Sequence, residues 1–311
     1  MTEPADSSAP SVPNAPPNAP PNAPSAAPGG APDWIAAFLA GDRRALARAI
    51  TLAENEGPAS APVLAALKGR VGRALTVGFT GPPGAGKSTL VNAFVRELRA
   101  RDLTVGVVAV DPSSPITGGA ILGDRIRMSG HSGDPGVFIR SLASRGHLGG
   151  LSRTAVRVID CMDAAGLDVV VIETVGAGQS EVEIAEVADI KIVVAAPGLG
   201  DDVQAIKAGI LEIADILVVN KGDHPLAAQT ARHLRNMVAM QARENPVPVL
   251  RTTAVTGEGV SGLTDQVRDM GMDRRARAPM ERSRRLLRRA AQDLMRTRLL
   301  ALEGEALDRL A

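Results

Sequence analysis

One glycine-rich stretch of the chain has the residue types and spacing of a phosphate-binding loop. Residues 81–89 read Gly-Pro-Pro-Gly-Ala-Gly-Lys-Ser-Thr and fill every fixed position of the pattern G-x-x-x-x-G-K-[ST]. Glycines let such a loop curl so that successive backbone N–H groups point at phosphate oxygens, and the following helix adds a partial positive charge. We expect Lys87 to lie along the β- and γ-phosphates and the Ser88 hydroxyl to ligate Mg²⁺. The stretch therefore predicts a nucleoside triphosphate site.

The sequence on either side predicts the strand and the helix that such a loop needs. Leu75 to Thr80 reads as a short β-rich strand, and Leu90 to Ala100 has the periodicity of an amphipathic helix. The structural alternative is a glycine-rich turn with a solvated lysine, and this flanking pattern argues against it. The residues predicted to contact the nucleotide in this loop are Gly81, Gly84, Ala85, Gly86, Lys87, Ser88 and Thr89.

Carboxylates follow two further apolar strands. Thr104 to Val110 ends in Asp111, and Leu167 to Ile172 runs into Glu173. Strands that are apolar on both faces are typical of a parallel sheet covered by helices, so both carboxylates should lie at its ligand-binding edge. Glu173 has the place of a Walker B carboxylate, which holds Mg²⁺ directly or through water.

Two neighbouring segments could respond to the phosphates, and the acidic residues also have simpler interpretations. The amide of Gly176 is placed to sense a γ-phosphate, and Asp124 lies in a segment that reads as a loop followed by a short helix. Asp111 and Asp124 could instead cap helices, and Glu173 could cap the turn that follows it.

A later motif points to guanine. Residues 220–223 follow another predicted strand and have the Asn-Lys-x-Asp spacing of guanine-binding proteins. Asp223 can accept hydrogen bonds from N1–H and the exocyclic amino group of guanine, whereas adenine lacks this N1–H and should be rejected. Lys221 can cover the base with its aliphatic stem, and Asn220 can tie the loop to the phosphate-binding loop. Asp223 could also be the N-cap of the next helix, and the two roles can coexist.

The loop after the last predicted strand would complete the base site. Val247 to Thr252 reads as that strand, and Thr253 and Ala254 follow it. A backbone N–H in this loop could donate to guanine O6.

The chain divides into four predicted segments. Residues 1–32 form a Pro-, Ala- and Asn-rich tail that cannot bury a core and should be disordered. Residues 33–73 form a small helical segment, in which Asp42 can cap a helix that carries Leu46, Ala49, Ile50 and Ala53. Residues 74–272 form the nucleotide-binding domain, and residues 273–311 a C-terminal helical arm. The arm has an apolar stripe from Leu287 to Leu302 surrounded by arginines, which favours docking against the body or a second subunit.

Composition excludes several classes of function. The formal net charge is +1 and aromatic residues make up 2% of the chain, so we expect no nucleic-acid partner. No apolar run has the length of a membrane span. The one cysteine, Cys161, rules out an internal disulfide, and the tail has no basic or apolar signal region, so we expect a bacterial cytoplasmic protein. The predicted fold class is α/β, a mostly parallel doubly wound sheet flanked by N-terminal helices and a C-terminal helix.

Several long motifs in one order resemble the MeaB family, GTPases that act as chaperones of adenosylcobalamin-dependent acyl-CoA mutases. The resemblance runs from about Trp34 to Thr264, and its motifs are 108–114, 117–128, 173–181, 198–207 and 220–223. Relatives have also been called arginine/ornithine transport kinases. The resemblance implies a P-loop core of SIMIBI type, GTP or GDP and Mg²⁺ as ligands, and a mutase as partner.

The resemblance also implies roles for individual residues. Asp111 and Asp124 would belong to switch I and approach Mg²⁺ or the attacking water, and Glu173 and Gly176 would form switch II. The stretch from Ala196 to Lys207 resembles the switch that communicates the nucleotide state to the mutase. The predicted metal ligands are therefore Ser88, Asp111, Asp124 and Glu173. The family's dimerisation arm extends further than this chain, which puts the homodimer in question.

The expected mechanism is attack of water on the γ-phosphate. Mg²⁺, Lys87 and the loop amides would stabilise charge, and Asp111 is the first choice for orienting the water. Ala177 stands where Ras-like GTPases place their water-orienting Gln, so intrinsic hydrolysis should be slow and accelerated by a partner, with Lys207 and Gln179 contributing. A P-loop kinase or ATPase linked to amino-acid transport and a non-hydrolysing, nucleotide-gated interaction module are the alternatives.

Overall fold

The computed structural model describes residues 33–55, 57–112, 129–131, 133–144, 150–174, 187–198, 208–240 and 246–277, and residues 284, 287, 288, 291, 295 and 298. The predictions for residues 1–32, for Asp124, Gly176, Gln179 and Lys207, and for most of the arm lie outside these residues. The backbone of Asp111 is described but its side chain is not.

Seven parallel strands form one sheet. In chain order they are β1 (Leu75–Thr80), β2 (Val105–Pro112), β3 (Val137–Ser144), β4 (Val169–Thr174), β5 (Ile190–Ala195), β6 (Ile216–Val219) and β7 (Val249–Arg251). Their order across the sheet is β3-β2-β4-β1-β5-β6-β7, with every pair parallel. The strand order reverses beside β1, which is where doubly wound sheets bind ligands. The predicted fold class is confirmed, with a sheet that is wholly parallel.

Helices cover both faces of this sheet. They are α1 (Asp33–Leu39), α2 (Arg43–Glu54), α3 (Ala61–Leu67), α4 (Lys87–Arg99), α5 (Gly150–Ala164), α6 (Ala208–Ile213), α7 (Ala227–Ala239) and α8 (Val260–Arg277), with 3₁₀ turns at Pro58–Ser60 and Ser129–His131. One face packs against α4 and α8, where Phe79 of β1 meets Phe94 of α4 edge to face with ring centroids 5.4 Å apart. None of the helices in the described ranges is long and apolar enough to cross a membrane.

Helices α1, α2 and α3 share a hydrophobic cluster with α5 and with the other face of the sheet, the one not covered by α4 and α8. Asp42 caps α2 by accepting a hydrogen bond from the Ala45 N–H at 2.8 Å, as the sequence predicts. The predicted apolar residues of α2 are buried in one cluster with side chains of β3 and α5. Arg140 of β3 forms a bidentate ion pair with Glu54 at the end of α2, at 2.9 and 2.5 Å. The helical segment is therefore packed on the sheet as part of its core.

The structure differs from the sequence-based prediction in several elements. Strand β3 was not predicted. Strand β4 continues to Thr174, so Glu173 lies within the strand rather than after it. Helix α8 extends to Arg277, beyond the predicted end at residue 272. In the arm, Leu287 and Met295 are exposed, so these two residues do not dock against the body of the chain.

Candidate nucleotide site

The phosphate-binding loop joins the carboxyl end of β1 to the start of α4. Gly81 has φ +138°, and a Cβ atom there would collide with the backbone carbonyl of Val194 in the neighbouring strand β5. Only glycine fits this position, because L-residues avoid that backbone conformation and because the space is filled. Gly86, the N-cap of α4, has φ +83° and makes no side-chain cap. The first turn of this 13-residue helix thus has the form of an anion site.

Lys87 is buried at the centre of the loop. Its Nζ donates hydrogen bonds to the carbonyl oxygens of Gly81, at 2.7 Å, and Pro82, at 3.0 Å. The side chain is 7% exposed. The ammonium group is therefore held over the loop by neutral acceptors, and a phosphate oxygen would be a stronger, charged acceptor for the same donors.

Ser88 and Glu173 meet at the same edge of the sheet. The Ser88 hydroxyl donates to Glu173 Oε1 at 2.5 Å, and the glutamate is 1% exposed. Glu173 pairs in register with Phe79 of β1, which brings the carboxylate beside the start of the loop. This contact makes Glu173 part of the surroundings of the phosphate-binding loop.

A hydroxyl and a carboxylate oxygen at this spacing fit Mg²⁺, which prefers oxygen ligands and keeps several waters. The described residues contain no cluster of three His, Cys, Asp or Glu side chains that could hold a metal ion by themselves. The backbone of Asp111 lies at the carboxyl end of β2, beside β4 and so at the same edge.

Asn220 connects three loops of the site. Its Nδ2 donates to the carbonyl oxygens of Ala85, at 3.0 Å, and Gly86, at 3.3 Å. Its Oδ1 accepts from the Ala254 N–H at 3.1 Å and from the Thr252 hydroxyl at 3.3 Å. The side chain is 2% exposed and its amide orientation is fixed, since donors face carbonyls and the acceptor faces donors. The expected tie between residue 220 and the phosphate-binding loop is present.

Lys221 and Asp223 follow the buried Asn220 and are exposed to solvent. Lys221 has φ +55°, a left-handed conformation that is uncommon for a residue with a side chain. Helix α7 begins at Ala227, with Leu226 as its N-cap, so Asp223 is not the cap of this helix. Both side chains are therefore presented to solvent at the carboxyl edge of the sheet, next to the phosphate-binding loop.

The N–H groups of Thr253 and Ala254 have partners within the protein. Thr253 donates to the Glu258 carbonyl at 2.9 Å, and Ala254 donates to Asn220. A contact between the Ala254 N–H and guanine O6 would therefore share the Asn220 bond or replace it. Thr252, which holds Asn220 from the other side, was missed by sequence reasoning; its position at the end of β7 beside Thr253 is the signal that could have found it.

Comparison with known proteins gives one consistent result. Residues 46–306 match the family described as "Methylmalonyl Co-A mutase-associated GTPase MeaB". A protein of Pyrococcus horikoshii, designated a GTPase, is 50% identical over 235 residues, covering 74% of both chains. The GTPase ArgK of Escherichia coli is 47% identical over 62% of this chain and 60% of its own. The mitochondrial methylmalonic aciduria type A homolog of Mus musculus is 37% identical over 74% of this chain and 60% of its own.

A solved structure has the same architecture. The crystal structure of an LAO/AO transport system kinase superposes with a TM-score of 0.73 at 29% sequence identity, covering 89% of this chain and 87% of the other. The core has the arrangement of a P-loop GTPase of SIMIBI type.

Proposed function

Because the chain belongs to the family of methylmalonyl-CoA mutase-associated GTPases, we propose that it hydrolyses GTP and uses that cycle as a chaperone of an adenosylcobalamin-dependent acyl-CoA mutase. In this role it would gate loading of the cofactor into the mutase and protect the mutase from inactivation. The family binds guanine nucleotides, which supports GTP and GDP as ligands of the proposed site.

The hydrogen bond between Ser88 and Glu173 supports the hydrolytic part of this proposal most directly. It places a hydroxyl and a buried carboxylate at the phosphate end of the loop, and Lys87 lies beside them. Mg²⁺ held there by Ser88 and Glu173, with Asp111 and Asp124 as further candidates, would neutralise charge that develops on the γ-phosphate.

The chain's own residues would bind and orient the substrate. The amides at the start of α4 and the Lys87 ammonium group would hold the phosphates, and Lys221 and Asp223 would hold the base. Asp111 is our candidate for orienting the attacking water. Since Ala177 offers no side chain for this purpose, we propose slow intrinsic turnover that a partner accelerates through Lys207 and Gln179.

The family name and the relative named for methylmalonic aciduria support an acyl-CoA mutase as the partner. The test is co-purification of the full chain with a methylmalonyl-CoA mutase, with GDP and with a non-hydrolysable GTP analogue, together with GTP turnover in both mixtures. We expect complex formation that depends on the nucleotide and a turnover rate that rises with the mutase. A mutase that neither binds nor changes the turnover would reject the chaperone role.

The name of the superposable structure supports a second candidate, a kinase linked to amino-acid transport. That function requires transfer of the γ-phosphoryl group to an acceptor other than water. Incubation with γ-labelled GTP separates the candidates: a GTPase releases inorganic phosphate, a kinase labels an acceptor, and a non-hydrolysing interaction module does neither.

The C-terminal arm is our candidate for a contact with a second copy of the chain. The exposed side chains of Leu287 and Met295 support this, because large apolar side chains left exposed in one segment can be covered by a partner. Sedimentation of the full chain and of the variant Leu287→Glu/Met295→Glu tests the homodimer.

A further inference from the structure

A second cavity lies at the opposite edge of the sheet from the nucleotide site. Its volume is about 490 Å³, within the ~300–1,000 Å³ range of small-molecule sites. Leu75 and Val169, at the amino ends of β1 and β4, line it, whereas the phosphate-binding loop and Glu173 lie at the carboxyl ends of these strands. None of the described residues that we place in the nucleotide site contributes to this lining.

The interior of this cavity is mainly apolar. Leu75 at the start of β1, Leu103 after α4 and Leu167 before β4 line the cavity and are half-buried, so each presents part of its surface. Leu98 and Val267 also line it but are buried. Met272, on the rim, is 58% exposed. These groups offer an aliphatic surface that a ligand could cover, which would remove apolar area from water on both sides.

Two arginines at the cavity are not committed to acidic partners. Arg70 and Arg73 lie in the segment between α3 and β1 and are exposed, and no ion pair to either is present in the described part of the chain. The other two arginines of the lining differ: Arg101 pairs with Asp265 at 2.9 Å, and Arg268 pairs with Asp269 at 3.2 Å.

The two aspartates of the lining already bind donors of the protein. Asp163 is 2% exposed and accepts hydrogen bonds from the backbone N–H groups of Gly72, Arg73 and Ala74. Asp168 accepts from the backbone N–H and the hydroxyl of Thr104, at 2.8 and 2.7 Å. The carboxylates are thus engaged while two guanidinium groups are available. Asp163 also fixes the backbone from which Arg73 projects, so this charge is presented by an ordered segment.

We propose that this cavity binds a small amphipathic carboxylate, an organic anion with an aliphatic chain. The chain lies against Leu75, Leu103 and Leu167, and the carboxylate pairs with Arg70 and Arg73. A guanidinium group suits this ligand because it can bind a carboxylate through two parallel hydrogen bonds. The site is separate from guanine nucleotide binding and does not depend on the proposed mutase partner.

The test is calorimetric titration of the full chain, saturated with GDP, with acetate, butyrate, hexanoate and octanoate below micelle-forming concentrations. Octanol and octylammonium serve as ligands with the same chain but without the carboxylate. We expect octanoate to bind best, with affinity rising about fourfold for each added methylene that is buried. Arg70→Ala/Arg73→Ala should weaken octanoate binding at least tenfold, and Arg70→Lys/Arg73→Lys should restore part of it. Arg232→Ala, at an exposed position of α7, is the matched control and should change nothing.

Three results would overturn the proposal. They are absence of octanoate binding, equal binding of acetate, octanol or octylammonium, and binding that the double alanine variant retains in full. If the double variant instead changes the sedimentation of the protein and octanoate does not bind, the cavity is a contact between protein chains and the proposal fails. Because Arg70 and Arg73 are exposed, their replacement should leave the fold intact, which the unfolding midpoint checks.

Discussion

The side-chain amide of Asn220 donates a hydrogen bond to the carbonyl oxygen of Ala85, 135 residues earlier in the chain, at 3.0 Å. The Asn-Lys-x-Asp motif and the phosphate-binding loop are therefore held together by direct hydrogen bonds. The same amide reaches the loop after β7 through Ala254 and Thr252. One buried side chain sets the relative positions of the three loops that would hold phosphate and base.

Replacement of Asn220 should therefore affect stability and nucleotide binding together. Asn220→Asp keeps the shape but sets a carboxylate oxygen against the carbonyls of Ala85 and Gly86, so we expect the free energy of unfolding to fall by roughly 2–4 kcal/mol. GDP affinity should fall at least tenfold. Denaturant unfolding and GDP titration measure the two effects. Asn236→Ala, on the exposed side of α7, is the control, and equal behaviour of the two variants would contradict the proposed role.

The contact between Asn220 and the phosphate-binding loop also explains the need for glycine at position 86. A Cβ atom there would lie 2.5 Å from Asn220 Nδ2, at a backbone φ of +83°. Gly257→Ala is a matched control, since φ is +84° and nothing lies within 4 Å of the added atom. Backbone strain should lower the free energy of unfolding of both variants by roughly 1 kcal/mol. Only Gly86→Ala should also bind GDP more weakly than the parent does. Similar GDP affinities for the two variants would show that the contact with Asn220 is dispensable.

Base specificity should depend on the single carboxylate of Asp223. Asp223→Asn replaces an acceptor by a donor, which no longer matches the N1–H and amino group of guanine. Xanthine carries an oxygen in place of that amino group, so the variant should bind xanthosine nucleotides more tightly than the parent does and lose roughly 100-fold or more in GTP affinity. Competition binding with GTP, ATP and xanthosine triphosphate tests this. If ATP binding rises as much as xanthosine binding, Asp223 does not read the base as proposed.

Glu173→Gln should separate hydrolysis from nucleotide binding. The amide keeps the volume of the side chain but removes the charge that would attract Mg²⁺, so we expect phosphate release to fall roughly 100-fold. GDP affinity measured with a chelator should be unchanged. Glu212→Gln on α6 is the control, at an exposed carboxylate. Unaltered phosphate release in Glu173→Gln would contradict the proposed role of Glu173, and absence of release from the parent as well would support a nucleotide-gated module rather than a GTPase.

The thiol of Cys161 should be unreactive in the folded protein. Burial in α5 raises the pKa of this thiol to about 12, and nearby carboxylates add to the effect. Iodoacetamide at pH 8 should leave the native chain unmodified and label it in denaturant. The thiol of the unfolded chain ionises near pH 9, whereas the folded one stays protonated until about pH 12. The contribution of this group to the free energy of unfolding is therefore fully present below pH 9 and decreases as the pH rises towards 12. Rapid native labelling at pH 8 would contradict this.

The sequence predicts best where local pattern and tertiary contacts agree. Strand β1 and the turn into α4 were predicted because the glycines, the lysine and the flanking apolar residues all point to one structure. The cap at Asp42 is local in the same way, because its partner Ala45 lies three residues away. The fold class followed from apolar strands separated by helices.

The elements that were missed depend on partners far away in sequence. Strand β3 lies at the edge of the sheet and carries Arg140, which interrupts its apolar run. That charge is tolerated because Glu54, 86 residues earlier, pairs with it. The role of Thr252 depends on Asn220 in the same way. Only the folded chain brings these pairs together, so periodicity could not reveal them.

The helices before residue 74 have a consequence for how the molecule unfolds. Ile50, Phe38 and Ala49 lie in one apolar cluster with Phe138 of β3 and Val158 of α5. Melting of the helical segment would expose these side chains of β3 and α5, and α5 also packs against β4, the strand that carries Glu173. The N-terminal helices and the sheet thus form one cooperative unit. Unfolding of α1 to α3 would therefore destabilise the carboxyl edge of the sheet, where the proposed nucleotide site lies.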